Sequence, residues 1–336
     1  MSRNLCITAV DGQTGHLIAE LLLTDPNFSK RFKSVAGLAL DVEHEHVQQL
    51  ESLGAAIVPH QPGSERALTK QLKDMGVDTI CLIPPTHPDK YDITFELINA
   101  ARKANIPNVC FISAAGADLA DPKKQPRLHE FIALEHLVLA SKGDTSTKAG
   151  HSPVVIRAGF YAENLLLYAP QIREEHILPL PVGATHKLAP IALGDIAQVA
   201  AHVLSGEGPQ GFADQHRGQL IVLTGPMLAA GDELATAAGK ALGFDVTYEN
   251  ISQAEAKRLL KSHSELDSSE MEFLLEYYSL VREGKTNYIS THAFHDITGT
   301  QPTELEEVFK LYAAEFQAQG GDSQDGRVSK RRKTKK

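Results

Sequence analysis

Gly12-Gln13-Thr14-Gly15 follows an apolar run, Leu5–Val10, and opens a helical pattern carrying Leu17, Ile18, Leu21 and Leu22. Glycine lets a backbone turn tightly and approach a pyrophosphate. The helix N-terminus behind it offers N–H groups and the positive end of its dipole to that anion. First strand, first turn and first helix are the right setting for a dinucleotide. Gly12, Gln13, Thr14, Gly15 and His16 are therefore the expected cofactor contacts. Counting Gly-x-x-Gly-x-x-Gly from Gly12 puts the third glycine at Ile18, which predicts a first helix slightly displaced from its strand. A valine at position 15 is expected to fill the pyrophosphate path and leave the fold intact. The second apolar run ends at Ala39-Leu40-Asp41. A carboxylate there accepts from adenosine ribose hydroxyls and favours NAD over NADP, although Asp41 could equally cap the next helix. Were NADP preferred, Arg3 and Lys33 would be the candidate phosphate ligands.

Other chemistry-bearing residues give weaker patterns. Among fifteen histidines, His44-Glu45-His46 opens a helix, where side chains two apart diverge, and His292 and His295 lack two further ligands. No metal site is expected. Cys6, Cys81 and Cys110 lie in apolar runs that should sit side by side in one sheet as buried thiols. The segment Lys330-Arg331-Arg332-Lys333-Thr334-Lys335-Lys336 fits a nuclear-import signal, a solubilising tail or a loose nucleic-acid tether. Cytoplasmic or nuclear placement, or both, is the expectation. The chain carries a net charge of −9, but residues 1–326 hold 26 basic against 42 acidic residues. A body at −16 repels phosphate backbones, so direct DNA binding is not expected. No apolar run reaches the roughly 20 residues that span a bilayer, and the first strand begins without signal-peptide architecture.

These residues need a frame. Strand-like runs at Leu5–Val10, Ser34–Ala39, Ala55–Val58, Thr79–Ile83, Val109–Ser113 and Pro153–Ala158 alternate with helical patterns near 15–24, 43–53, 64–75, 89–104 and 127–141. Such alternation predicts an α/β fold, a doubly wound parallel (Rossmann) sheet covered on both faces. Beyond it the pattern loosens. A loop with Pro179, Pro181 and Gly183 precedes a helix near 194–205, then a strand at Gln219–Thr224 and three or four helices. Residues 1–160 with the returning helix 194–205 read as the dinucleotide-binding core. Residues 161–318 read as a smaller mixed α/β lobe closing over the sheet's carboxyl edge, and 319–336 as a disordered basic tail.

Longer stretches make the chain resemble the NmrA-like family of atypical short-chain dehydrogenases/reductases, over nearly its whole folded length. They are Gly12-Gln13-Thr14-Gly15, Phe111-Ile112-Ser113-Ala114-Ala115-Gly116-Ala117-Asp118, Glu135, Val155 to Leu165, Ile191 to Ala201, and Thr298-Gly299-Thr300. The stretches around Asn164 and Asp195 are the most specific. The resemblance implies a nicotinamide dinucleotide, NAD or NADP, with Pro84, Pro85 and Ser113 walling it and Tyr161 and Asn164 lining a substrate pocket. Gln61 is the candidate adenine contact. Related dehydrogenases use a Tyr-x-x-x-Lys pair, the tyrosine moving the proton. Here the corresponding positions, counted back from Glu135, are Arg127 and Phe131, so the usual proton route is absent. His129 is the weak substitute, read otherwise as a surface histidine. The leading expectation is a cofactor-sensing regulator with a protein partner such as a transcription factor. The alternatives are an NAD(P)H-dependent reductase of a small carbonyl, quinone or imine, and a scaffold that has lost its cofactor.

Overall fold

The computed structural model describes residues 3–144, 152–208, 211–263 and 267–316. The basic segment 330–336 lies outside them. In chain order the elements begin β1 (Arg3–Thr8), α1 (Gln13–Thr24), a one-turn α2 (Pro26–Ser29), β2 (Phe32–Ala39), α3 (Glu45–Ser52), β3 (Ala56–Pro59) and α4 (Glu65–Asp74). There follow β4 (Thr79–Leu82), α5 (Lys90–Lys103), β5 (Asn108–Ala114), α6 (Pro126–Leu139), β6 (Val154–Ala158), a 3₁₀ segment Ala162–Tyr168, α7 (Ala169–Glu175) and β7 (Ile177–Leu180). The remainder is α8 (Leu193–Leu204), β8 (Leu220–Leu223), α9 (Gly231–Leu242), β9 (Thr247–Asn250), α10 (Gln253–His263), α11 (Ser268–Arg282), α12 (Ala293–Thr298), α13 (Leu305–Leu311) and α14 (Ala313–Phe316).

Seven strands form one sheet in the order β3-β2-β1-β4-β5-β6-β8, every pairing parallel. Alternation along each strand divides the core. Cys6, Leu38, Ile80, Leu82, Phe111 and Val155 join the cluster under α4, α5 and α6. Leu5, Ile7, Cys81, Cys110, Ile112 and Ile156 join the cluster under α1, α3 and α8. The three thiols are free and buried, as their apolar runs predicted. Cys81 and Cys110 are register partners, with Cys6 beside Ile80.

The order reverses between β1 and β4, and the crevice at such a switch point is where open α/β sheets bind ligands. Thr8 fixes it: its hydroxyl accepts from the Ile83 N–H at 2.7 Å and donates to the Ile83 carbonyl at 2.9 Å. The opening glycine turn differs from the expected one. Its pattern starts at Ala9, not Gly12, so the glycine replaced is the first and not one at Ile18. Ala9 adopts φ +51°, a left-handed conformation that favours glycine. Gly15 is the close-packing position. A Cβ there would meet the Ala9 carbonyl oxygen, the Ala9 carbonyl carbon at 2.8 Å and the Thr8 carbonyl oxygen at 2.9 Å. The helix is thus seated tightly on β1, and Ile18 is an ordinary core residue.

The C-terminal region also departs from expectation. β8 completes the main sheet beside β6, so the stretch 161–318 is not a separate unit of sequence. The segment around Pro179 is a strand, not a loop. β7 pairs in parallel with the unanticipated β9, and proline is tolerated because a two-stranded sheet leaves every strand an open edge. α11 packs against α6, placing an aromatic-rich helix over the carboxyl edge of the large sheet. No helix among the described residues is long and apolar enough to cross a membrane.

Two substitutions test the turn. Gly15→Ala is expected to lower the free energy of unfolding by about 2 kcal/mol, because a methyl group would be forced into backbone. Ala9→Gly should be neutral or gain up to about 1 kcal/mol, as relief of the left-handed residue offsets added chain entropy. Urea unfolding of both variants checks this. A stable Gly15→Ala variant would show that the helix is not seated as described.

Candidate functional site

One cavity of about 670 Å³ runs along the carboxyl edge of the sheet, within the size range of small-ligand sites. Gly12, Gln13, Thr14 and Gly15 line its middle. Gly12 is the N-cap of α1, so the next N–H groups stand in the first turn, where no helical carbonyl precedes them. Gln13, Thr14 and Gly15 thus present first-turn N–H groups at the cavity, where the anion was expected. A valine at position 15 would strike β1 before any ligand, so the fold would not stay intact. His16 stands apart from these groups: it does not line the cavity, and its N–H is bonded to the Gly12 carbonyl at 3.0 Å. Its ring stacks on His46 with centroids 4.3 Å apart, and burial lowers its pKa.

At one end the walls are Asp11, His44, Glu45 and His46. Asp41, expected there as the ribose acceptor, does not line the cavity. Its carboxylate accepts from the Glu43 N–H at 2.9 Å in the loop ahead of α3, whose N-cap is His44 and not Asp41. Asp11 takes its place, accepting from the Leu40 and Asp41 N–H groups at 3.0 and 2.9 Å. His46 Nδ1 sits 3.1 Å from the Asp11 carbonyl oxygen, and His44 Nδ1 accepts from the His46 N–H at 3.2 Å. The His-Glu-His run is therefore a cavity wall, and no metal-binding cluster of His, Cys, Asp or Glu occurs among the described residues. Gln61 lies outside the cavity lining. Arg3 and Lys33 belong to the starts of β1 and β2, the opposite end of a parallel sheet, and Arg3 is buried against the Gly206 carbonyl.

At the other end Pro84, Pro85, Ser113, Phe131, Tyr161, Asn164, Phe273 and Tyr277 converge. Ser113 donates to the Glu135 carboxylate at 2.6 Å, so its proton is committed. Glu135 in turn holds Arg157 through two bonds of 2.9 and 2.8 Å, with Asp118 at 2.9 Å on the same guanidinium. The hydrogen bonds that Arg157 donates to Glu135 raise the Arg157 pKa against the opposing effect of burial. Burial raises the Tyr161 pKa, keeping its phenol neutral, and its oxygen accepts from the Thr14 hydroxyl at 3.3 Å. Asn164 bonds through its N–H to the Tyr161 carbonyl at 3.0 Å. Arg127 and Phe131, at the Tyr-x-x-x-Lys positions, both line the cavity. His129 does not, so it is no substitute proton donor.

Several lining residues escaped sequence reasoning, Asp11, Phe273, Tyr277, Lys90 and Glu270 among them. Lys90, from the start of α5, reaches the wall beside Phe131, and Glu270 comes from the first turn of α11. Burial raises the Glu270 pKa. Nothing in their local sequence marks them, since both are ordinary charged residues at helix starts. The specific stretches around Glu163 and Asp195 prove to be staples. The Glu163 carboxylate accepts from the Leu193 N–H at 3.0 Å, and Asp195 accepts from the Thr303 N–H at 2.8 Å and the Thr303 hydroxyl at 2.9 Å.

No family model matches the chain. It is similar to the NAD(P)H azoreductase of Xenophilus azovorans, 27% identical over 245 residues, covering 72% of this chain and 78% of that one. It is 29% identical over 264 residues to quinone oxidoreductase 2 of Escherichia coli, covering 77% and 81% respectively. Among solved structures, the NADPH-dependent quinone oxidoreductase of Escherichia coli in complex with NADPH superposes with a TM-score of 0.74 at 25% identity, covering 92% of this chain and 99% of that one. Triphenylmethane reductase of Citrobacter sp. complexed with NADP(H), at 19% identity and TM-score 0.74 over 92% and 99% of the chains, shares the fold. The structural neighbours are NAD(P)-binding Rossmann-fold reductases and an epimerase.

The ion pair behind Ser113 gives a direct test. Glu135 and Arg157 are both buried, and removing one partner of such a pair strands the other charge. Arg157→Met should lower the free energy of unfolding by about 3 kcal/mol, measured by urea titration. A cost within about 0.5 kcal/mol of zero would mean that the pair is dispensable.

Proposed function

We propose that the chain is an NAD(P)H-dependent reductase of a flat conjugated acceptor, such as a quinone or an azo compound, within the NmrA-like group its motifs resemble. The supporting observation is the cavity itself, which joins the glycine turn to a chamber of aromatic side chains. One end offers imidazoles and a carboxylate suited to an adenosine. The middle offers helix N-terminal amides suited to a pyrophosphate, and the far end is apolar enough to hold a ring. The relatives named for azo and quinone reduction add weight to this reading. Neither they nor the cavity favours the regulator with a transcription-factor partner.

When bound, the dinucleotide supplies hydride. The chain's own residues do the remaining work. Gly12 to Gly15 hold the phosphates, and Tyr161, fastened to Thr14, closes the space between turn and chamber. Ser113 presents an oxygen whose proton already belongs to Glu135, so it accepts but does not donate. The Tyr-x-x-x-Lys pair is absent, so a proton for the reduced acceptor has to come from another group.

Cofactor choice follows from the adenosine end. With Asp41 outside the cavity, the expected selection for NAD falls to Asp11 and Glu45. His44 and His46 line the same wall and offer ring N–H groups to a 2′-phosphate. We infer use of both cofactors, the imidazoles serving NADP. His46→Ala should weaken NADPH binding about fivefold while leaving NADH within about twofold, roughly the loss of one modest charge-assisted contact. Equal effects on the two would remove His46 from phosphate recognition.

The reductase reading is tested by following the loss of reduced-nicotinamide absorbance on addition of 1,4-naphthoquinone or an azo dye. Acceptor-dependent oxidation of NADPH or NADH is expected. Tight binding of both dinucleotides with no oxidation by either class of acceptor would contradict it.

A further inference from the structure

Lys90 occupies an unusual place for a lysine. Only 11% of its side chain is exposed. Its Nζ lies 4.3 Å from the ring centroid of Phe131 and 5.2 Å from that of Phe273, two rings whose own centroids are 5.8 Å apart. All three residues line the cavity. The ammonium donates to the Arg127 carbonyl at 3.2 Å, and Glu130 Oε2 is 3.9 Å away, too far for a hydrogen bond. An ammonium has three N–H donors, more than these partners consume. Phe131 stands at the position that the dehydrogenase pair would give to lysine. A cation thus enters the same part of the site from a different helix.

We propose that Lys90 binds the oxyanion formed on a reduced quinone and gives it a proton, which makes quinones the acceptor class of this site. The inference rests on the reductase reading above. A quinone that gains hydride from the reduced dinucleotide becomes a hydroquinone monoanion, and the nicotinamide is oxidised. The anionic oxygen takes one proton from Nζ, leaving a neutral amine that water reprotonates. One hydride and one proton complete the reduction.

The surroundings suit this task. Burial lowers the Lys90 pKa to about 8, with Arg127 acting in the same direction and Glu130 and Glu276 opposing. The group is charged at neutral pH and still gives up its proton readily, the match that acid catalysis favours. The charged neighbours are limited in their reach. From α6 come Arg127 and Glu130. From α11 come Glu276, which accepts from the Leu128 N–H at 2.9 Å, and Glu272, which holds Arg127 at 2.8 Å. In the preceding loop stand His87 and Asp89, where His87 Nδ1 accepts from the Asp89 N–H at 3.0 Å. Glu270 also lines the cavity, from the first turn of α11.

The test uses the full chain and two probes, 2-hydroxy-1,4-naphthoquinone, an oxyanion at neutral pH, and neutral 1,4-naphthoquinone. Calorimetric titration without dinucleotide at pH 7 should show the oxyanion bound about tenfold more tightly than the neutral quinone, a preference of the size one charge-assisted contact gives. Lys90 carries its charge below a pKa of about 8, so the preference is present below that pH and lost as pH rises through it. This arm needs no variant. K90M should abolish the preference and lower kcat at least about a hundredfold with unchanged dinucleotide affinity. K90R should keep the preference without restoring kcat, since guanidinium does not release a proton. A wild-type chain with no oxyanion preference at any pH, or a K90M chain that retains it, overturns the inference about Lys90 alone. An intact preference with no quinone turnover instead overturns the reductase reading and the proton transfer.

Discussion

The contact on which the site depends is the one between Gly15 and the carbonyl groups of Thr8 and Ala9. There is no room for a Cβ between them, so α1 rests directly on the end of β1. That seat aims the first-turn amides of α1 along the carboxyl edge of the sheet. It also exacts a left-handed conformation from Ala9, a strain of roughly 1 kcal/mol tolerated at this turn. Thr8, bonded twice to Ile83, fixes the neighbouring strand at the same height. The crevice between β1 and β4 is therefore held on both sides by contacts within the chain itself.

The other half of the cavity is stiffened by charge. Glu135 satisfies Ser113 and Arg157 together, and Arg157 reaches Asp118. A buried network of this kind adds little net stability over an apolar core, but it holds its members in one geometry. Here it removes the serine's proton from the chemistry. The aromatic wall, with Phe131, Phe273 and Tyr277 drawn from α6 and α11, then leaves Lys90 as the cation set between two rings. At the usual tyrosine and lysine positions the chain has Arg127 and Phe131, and Lys90 reaches the Phe131 ring from α5.

The sheet was legible because each strand is a compact apolar run and each helix has its own periodicity. Strand and helix bounds fall within two or three residues of those read from the pattern, and Arg127 and Phe131 face the cavity as the resemblance implied. Local turn chemistry was harder. A glycine count begun one step late placed the missing glycine at Ile18, because alanine at position 9 hides a left-handed residue that pattern alone does not reveal. Asp41 was misassigned for a related reason: turn formation and ribose binding ask for the same side chain, and only its bond to the Glu43 N–H in the loop before α3 separates them. β7 was missed because Pro179 argues against a strand unless the strand lies at an edge. Lys90, Glu270 and the His44–His46 wall owe their positions to tertiary packing, of which their neighbours in sequence carry no trace.

Amide hydrogen exchange with and without NADPH tests the central claim, that the dinucleotide lies across the Gly12–Gly15 turn between the histidine wall and the aromatic chamber. Protection is predicted in residues 12–16 and 158–164 together, with the 44–46 segment slowed as well. Protection confined to the C-terminal helices, or none in 12–16 under saturating NADPH, would contradict it.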